Sequence, residues 1–130
     1  MKRVEVHPTD GELAILRVLW RHDGPMTVRE VHDELQRSKD TAYTTVLKIL
    51  TIMHDKGLVL RDESERSHRF VATYAEPVVQ SSLLKEFMNR AFGGSTVELV
   101  QRALDDNAAS SADLDAIAKL IADAKKGRRG

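Results

Sequence analysis

Residues 39–74 read KDTAYTTVLKILTIMHDKGLVLRDESERSHRFVATY, and this stretch decides the fold class. Val46, Ile49, Leu50 and Met53 follow the i, i+3, i+4, i+7 spacing of an amphipathic helix, and Gly57 is placed to end it. After the glycine, residues 58–61 and 68–74 are rich in β-forming side chains, and the polar tract 62–67 separates them. The stretch therefore predicts a helix followed at once by a β-hairpin.

Helix starts before and after this stretch are marked by the S/T-x-x-E capping box, in which a hydroxyl and a glutamate satisfy unpaired backbone N–H groups. The boxes begin at Thr9, Thr27 and Ser95. The first two predict helices that end near residues 21 and 37, and Ser38 or Asp40 is the predicted cap of the third helix. The order helix, helix, helix, strand, turn, strand predicts a mainly α fold with a small antiparallel hairpin, a winged helix-turn-helix over residues 1–75.

The second half, residues 76–130, reads as three helices with broad apolar stripes. About 55 residues cannot hide so much apolar surface in a core of their own. Pairing with the same surface of a second copy would cover it, so this region predicts a helical dimerisation region and a homodimer. The predicted interface residues are Leu84, Phe87, Met88, Phe92, Leu99, Leu104, Ile117, Leu120 and Ile121.

Composition limits the class of protein. The chain has 42% hydrophobic and 31% charged residues, which is typical of a folded globular protein. It contains no cysteine, which excludes disulfides and thiolate metal sites and fits a reducing cytoplasm. The sequence has neither a signal-peptide pattern nor an apolar run that would span a membrane, so a cytoplasmic location without a membrane partner is expected.

The polar face of the third helix and the hairpin are candidates for nucleic-acid contacts. Short hydroxyl residues and a lysine near the start of a helix suit the major groove, and basic residues on a hairpin suit phosphates or the minor groove. An ordinary solvated helix face and a plain surface hairpin would have similar residues, and Asp62, Glu63 and Glu65 dilute the hairpin charge. The candidate DNA-binding residues are Tyr43, Thr44, Thr45, Lys48, Arg61, Arg66, His68 and Arg69.

The charge balance keeps a second interpretation open. Twenty basic and twenty acidic residues cancel, so a positive field for DNA must be local. A winged-helix protein-interaction module without sequence-specific DNA binding is the alternative function. Neither a metal nor a cofactor is expected, since the histidines lack a ligand spacing, and no glycine-rich phosphate loop or catalytic set of residues indicates an enzyme.

Residues 7–75 resemble the DNA-binding domain of the penicillinase repressor family. The resemblance lies in Leu16…Leu19-Trp20, in residues 27–31 (TVREV) and above all in residues 42–47 (AYTTVL) with 56–59 (KGLV). The helical second half, including residues 92–94 (FGG), resembles the family's dimerisation region. The resemblance implies a dimeric repressor on an inverted-repeat operator, with residues 43–45 and Lys48 in the major groove and Arg66 and His68 in the wing.

Two departures from the family pattern concern how repression ends. Copper-responsive members have Cys-x-Cys pairs, which a chain without cysteine cannot supply. In β-lactam-responsive members, a sensor-linked protease cuts an Asn-Phe pair shortly after a Leu-Val of the penultimate helix. Here Leu99-Val100 is followed by Gln101-Arg102-Ala103, so the residues for the same cut are missing.

Overall fold

The computed structural model describes residues 5–106 and 109–128. Two compact units make up the chain, Met1–Leu84 and Lys85–Gly130. The predicted division by function, 1–75 and 76–130, stays a prediction. The elements are α1 (Asp10–Arg21), β1 (Met26–Thr27), α2 (Val28–Gln36), α3 (Tyr43–Asp55), β2 (Val59–Asp62), β3 (Arg69–Ala72), α4 (Glu76–Phe92), α5 (Thr96–Asp105) and α6 (Ser111–Gly127).

The helix starts show how local sequence produces this order. Thr9 and Thr27 both form complete capping boxes, with the hydroxyl accepting from the third helical N–H and the glutamate accepting from the threonine N–H. Ser95 forms only the first half, since its hydroxyl accepts from the N–H of Glu98. Ser110 forms a further complete box with Asp113, which sequence patterns had not indicated because the third position is aspartate.

The sequence predicted the end of α3 correctly but not the residue that caps its start. The proposed caps Ser38 and Asp40 are wrong, because the N-cap is Ala42 and no side chain caps the helix. Asp40 instead accepts a hydrogen bond from the side chain of Gln36, at 3.2 Å. The end is as predicted: Gly57 has φ +80°, and the N–H groups of Gly57 and Leu58 close a Schellman motif on the carbonyls of residues 54 and 53.

The hairpin belongs to a three-stranded antiparallel sheet in the order β1-β3-β2. β2 and β3 pair with Leu60 opposite Val71, and β1 pairs with β3 through Met26 opposite Phe70. The third strand was missed because two residues carry no alternating pattern, and Thr27 was already assigned as a helix cap. The sheet nevertheless joins the hairpin to the start of α2, so β1 fixes the wing beside the helices.

The first unit has one apolar core to which α1–α4 and the sheet all contribute. Ile15, Val31, Val46 and Leu50 are fully buried at its centre. The chain before α1 is fixed to α4 because the Ser82 hydroxyl accepts from the N–H of Val6 and donates to its carbonyl, at 2.8 and 3.0 Å. The buried hydrophobic residues are Val6, Ile15, Leu16, Leu19, Met26, Val28, Val31, Leu35, Val46, Leu50, Met53, Leu58, Val59, Phe70 and Val79.

A single buried charged residue accompanies the core among the described residues. The Glu12 side chain is only 4% exposed, and its two carboxylate oxygens lie 2.7 and 2.9 Å from the Nζ atom of Lys56. Burial raises the pKa of this carboxyl, but the hydrogen bonds from Lys56 and Thr9 outweigh it, so the pKa lies below its ordinary value. The charged pair therefore joins the start of α1 to the end of α3.

The second unit has no buried residue among those that the structure describes. Phe87 and Phe92 form a T-shaped ring pair, with centroids 5.8 Å apart. The Thr96 hydroxyl donates a hydrogen bond to the sulfur of Met88. Of the predicted interface residues, the exposed ones are Leu84, Phe87, Leu104, Leu120 and Ile121, and the partly exposed ones are Met88, Phe92, Leu99 and Ile117.

Candidate nucleic-acid interface

The outer face of α3 is polar and open to solvent. Thr44, Thr45 and Lys48 are exposed, whereas Val46 and Leu50, on the opposite side of the same helix, are fully buried. Lys48 forms no ion pair with any of the residues that the structure describes. This face therefore offers short side chains and one exposed lysine, and short side chains let a helix backbone approach the edges of bases.

The uncapped start of α3 adds backbone donors to this face. Because Ala42 supplies no side-chain acceptor, the N–H groups at the first two positions of the helix have no partner in the part of the chain that the structure describes. Free N–H groups and the helix dipole together favour an anion at such an end. The sequence had predicted a side-chain cap here. Its absence suits a helix whose start binds a phosphate.

Tyr43, at the start of α3, is held by two side chains of α2. The guanidinium carbon of Arg29 lies 5.5 Å from the centre of the tyrosine ring, a cation–π distance. The His32 ring forms a T-shaped pair with the same ring, with centroids 5.8 Å apart and planes at 73°. These contacts fix the ring in place although it is 39% exposed.

The tip of the hairpin has its own internal contacts. Arg61 pairs with Glu63 at 2.6 Å, and the Asp62 carboxylate accepts from the backbone N–H of Ser64 at 2.9 Å. That hydrogen bond lowers the pKa of Asp62. Arg66 and His68 are exposed, and no ion pair involves them within the described residues. The tip is therefore shaped by its acidic residues while these two side chains stay available.

Arg69 has a different environment from the other candidate residues. Its guanidinium lies 3.4 Å from the carboxylate of Glu30, the capping-box residue of α2. The backbone N–H of Thr27 is the main cause that lowers the pKa of Glu30, and the charge of Arg69 contributes further. Arg69 therefore connects β3 to the start of α2.

A cleft of about 430 Å³ lies between the start of α2, the side of α3 and the hairpin, and we term it the interface cleft. It brings together four of the eight candidate residues, Tyr43, Arg61, Arg66 and His68, and adds Arg29. Thr44, Thr45 and Lys48 are exposed on α3 outside its lining, and Arg69 does not line it either. Cations from α2 and from the hairpin thus face one concave surface beside an exposed helix.

Comparison with known proteins shows the family of the chain. The penicillinase repressor family model matches residues 8–123. The chain belongs to the penicillinase repressor family. It is 30% identical over 123 residues to the transcriptional regulator BlaI of Mycobacterium tuberculosis, covering 91% of this chain and 85% of that protein. It is 19% identical over 125 residues to the penicillinase repressor of Staphylococcus aureus, covering 96% and 97%.

A solved structure of a MarR family protein from Bacillus stearothermophilus aligns with a TM-score of 0.48 and 23% identity, over 76% of this chain and 71% of that one.

The family membership confirms the sequence resemblance and the assignment of the chain as a winged-helix transcriptional regulator of the repressor class. Relatives named as transcriptional regulators also favour that class over the protein-interaction module and over an enzyme. Across residues 5–106 and 109–128, no helix is long and apolar enough to cross a membrane. The same residues contain no group of three or more metal-ligating side chains that could hold a metal ion.

Sequence patterns did not single out Arg29 and His32, the two residues that contact Tyr43 in the candidate interface. Arg29 lies within the second capping box, between the buried residues Val28 and Val31, so its exposure follows from helical spacing. The position of Arg29 over Tyr43 cannot be predicted from helical spacing, because that contact depends on how α2 packs against α3. His32 follows the buried Val31 on α2, and its side chain is 18% exposed.

Proposed function

We propose that the protein is a homodimeric repressor that binds an inverted-repeat operator in double-stranded DNA. In each protomer, α3 would lie in the major groove and the hairpin would lie along the adjacent backbone. The interface cleft is the observation that carries this proposal, since it places Arg66, His68 and Arg29 beside the exposed helix.

The residues divide by the kind of DNA contact they suit. Thr44, Thr45 and Lys48 are on the outer face of α3 and would read base edges, where threonine offers a hydroxyl and a methyl and lysine a flexible donor. The free N–H groups at the start of α3, together with Arg66 and His68, would hold phosphates. Tyr43 and Arg29 would form a fixed wall of the cleft between these two regions.

Two of the basic residues are better placed to hold the hairpin in position than to contact DNA. Arg61 is paired with Glu63 and Arg69 with Glu30, so an encounter with DNA would have to break an existing ion pair to use either. Each pair instead fixes the hairpin, one within its tip and one between the start of β3 and the start of α2. We therefore propose Arg61 and Arg69 as positioning residues for the wing.

Dimerisation would be provided by the apolar surface of α4–α6. Phe87, Leu120 and Ile121 are each more than half exposed in a unit that has no buried residue among those described. Burying one such side chain contributes roughly 1.5–3 kcal/mol. An isologous interface would cover the surface in both protomers and would raise affinity for a repeated site through effective concentration.

Selection from randomised duplex DNA at near-physiological salt tests the operator. A palindromic motif is expected, and recovery of no motif above background would contradict sequence-specific binding. Lys48→Ala should lose roughly 1–3 kcal/mol at one base position, whereas Arg66→Ala should weaken all sequences and reduce the salt slope by about one. Arg90→Ala, on α4, is the matched control and should bind unchanged.

Analytical ultracentrifugation tests the dimer separately. Phe87→Ala and Leu120→Ala should dissociate at concentrations where the wild type is dimeric, and both should bind a single half-site as the wild type does. Lys119→Ala, beside Leu120 on α6, is the control and should stay dimeric. A wild type that sediments as a monomer would contradict the proposed interface. A sensor-linked protease is not part of this proposal, because the Asn-Phe pair is missing from α5.

A further inference from the structure

A second concave surface lies between α1 and α2, and none of its lining residues lines the interface cleft. We term this surface the basic cleft, and its volume is about 640 Å³. Arg17 and Arg21 of α1 and Arg37 after α2 line it, together with His22 and one acidic residue, Glu34. The basic cleft is therefore strongly cationic in a chain whose net charge is zero.

The arginines of the basic cleft are poorly compensated. Arg37 lies 3.5 Å from Glu34, and both side chains are largely exposed. Arg17 and Arg21 have no ion pair within the described residues, and they are four positions apart on α1, where like charges repel. The helix dipole accounts for a cation at Arg21, in the last turn, but not for Arg17. Neither folding nor the proposed DNA contacts explain this cluster.

The lining combines these cations with apolar atoms. Ala14, Val18 and Leu35 contribute to the cleft, and Val18 and Leu35 are also part of the apolar packing of the first unit. Guanidinium groups recognise carboxylate and phosphate through paired hydrogen bonds. The basic cleft has the volume of a site for a small organic ligand, and its lining offers such a ligand both charged groups and apolar area.

We propose that the basic cleft binds a small organic anion, a carboxylate or phosphate carried on an apolar body. The anionic group would lie among Arg17, Arg21 and Arg37, and the apolar body would contact Val18 and Leu35. A DNA backbone fits the cleft less well, because its deoxyriboses offer these two side chains less apolar surface than an apolar body would. The site differs from the proposed operator contacts in location and in ligand, so either can fail without the other.

The test is an NMR titration of the ¹⁵N-labelled full chain with phenyl phosphate, benzoate, inorganic phosphate and benzyl alcohol. Phenyl phosphate or benzoate should shift the amides of Val18, Leu35 and Ser38 in a saturable way, and the tighter of the two identifies the anionic group. Inorganic phosphate should bind more weakly than phenyl phosphate because it lacks the apolar body. Benzyl alcohol, which has the ring without the charge, should leave these amides unshifted.

Variants assign the binding to the arginines. Arg17→Gln should weaken binding of the better anion about tenfold, as expected for loss of a charge-assisted hydrogen bond. Arg21→Gln serves as the second variant, and Arg90→Gln on α4 is the control that should bind normally. Equal binding of benzyl alcohol, or full affinity in both arginine variants, would overturn the proposal. So would shifts of the same amides by short duplex DNA that neither small anion competes away.

Discussion

Replacing Lys56 by methionine tests whether the ion pair with Glu12 stabilises the first unit. The change keeps an unbranched apolar side chain, one atom shorter than lysine, and removes both contacts to the carboxylate, at 2.7 and 2.9 Å. A charge-assisted hydrogen bond contributes about 1.5–3 kcal/mol. Removing one partner of a fully buried pair costs about 3–5 kcal/mol.

The cost here should be smaller than that upper range because the Lys56 side chain is 43% exposed, so water can reach the carboxylate once the ammonium is gone. We expect a loss of about 2 kcal/mol in the free energy of unfolding at pH 7. In urea, that loss should lower the unfolding midpoint by about 1 M. Arg90→Met, which breaks the exposed Arg90–Glu86 pair, is the matched control and should lose less than about 0.5 kcal/mol.

The dependence on pH separates this ion pair from simple loss of packing. The folded-state pKa of Glu12 lies below its ordinary value of 4.5, so its contribution is complete above that pH and disappears as the pH falls through the folded-state pKa. Without Lys56, burial should raise the pKa, and the carboxyl should become protonated on mild acidification. The difference between variant and wild type should therefore shrink towards pH 4. A difference that is the same at pH 7 and pH 4 would refute this reasoning.

Three further changes probe local structure, and urea unfolding measures each. Gly57→Ala should cost about 1–2 kcal/mol because residue 57 has φ +80°, and a neutral result would contradict the need for a left-handed residue at this position. Thr27→Ala should cost about 1 kcal/mol through loss of the α2 cap, whereas Thr27→Ser should retain the cap. Arg69→Met should cost below about 1 kcal/mol, since the pair with Glu30 is partly exposed. It should also leave the salt slope of DNA binding unchanged, and a reduced slope would instead make Arg69 a phosphate contact.

Features that depend on residues close in sequence were predictable. The starts of α1 and α2 follow from the hydroxyl and glutamate of each box, and the end of α3 follows from one glycine. The buried stripe of α3 also follows, because Val46, Leu50 and Met53 repeat at helical spacing. Each of these signals extends over a few residues and needs no knowledge of the rest of the chain.

Features that depend on tertiary contacts were not predictable. The Lys56–Glu12 pair joins residues 44 positions apart, and the Ser82–Val6 hydrogen bonds join residues 76 positions apart. The short strand β1 exists only because β3 lies beside it. In the candidate interface, the type of each residue was apparent from sequence, but its availability was not. Arg66 and Arg69 look alike in sequence, but of the two only Arg69 has an acidic partner among the residues that the structure describes.

The distribution of ion pairs also answers the objection that a neutral chain should not attract DNA. Two acidic residues near the interface cleft are in ion pairs, Glu30 with Arg69 and Glu63 with Arg61, and the Asp62 carboxylate accepts from the backbone of the hairpin tip. Each ion pair cancels its own charge at short range, and at about 0.15 M salt more distant charges are screened beyond about 8 Å. Among the described residues, the charged side chains without an ion pair on this surface are Arg29, Lys48 and Arg66 against Asp62 and Glu65. The field that an approaching phosphate meets is therefore set by these neighbours rather than by the chain total, which is why net charge is a poor guide to this surface.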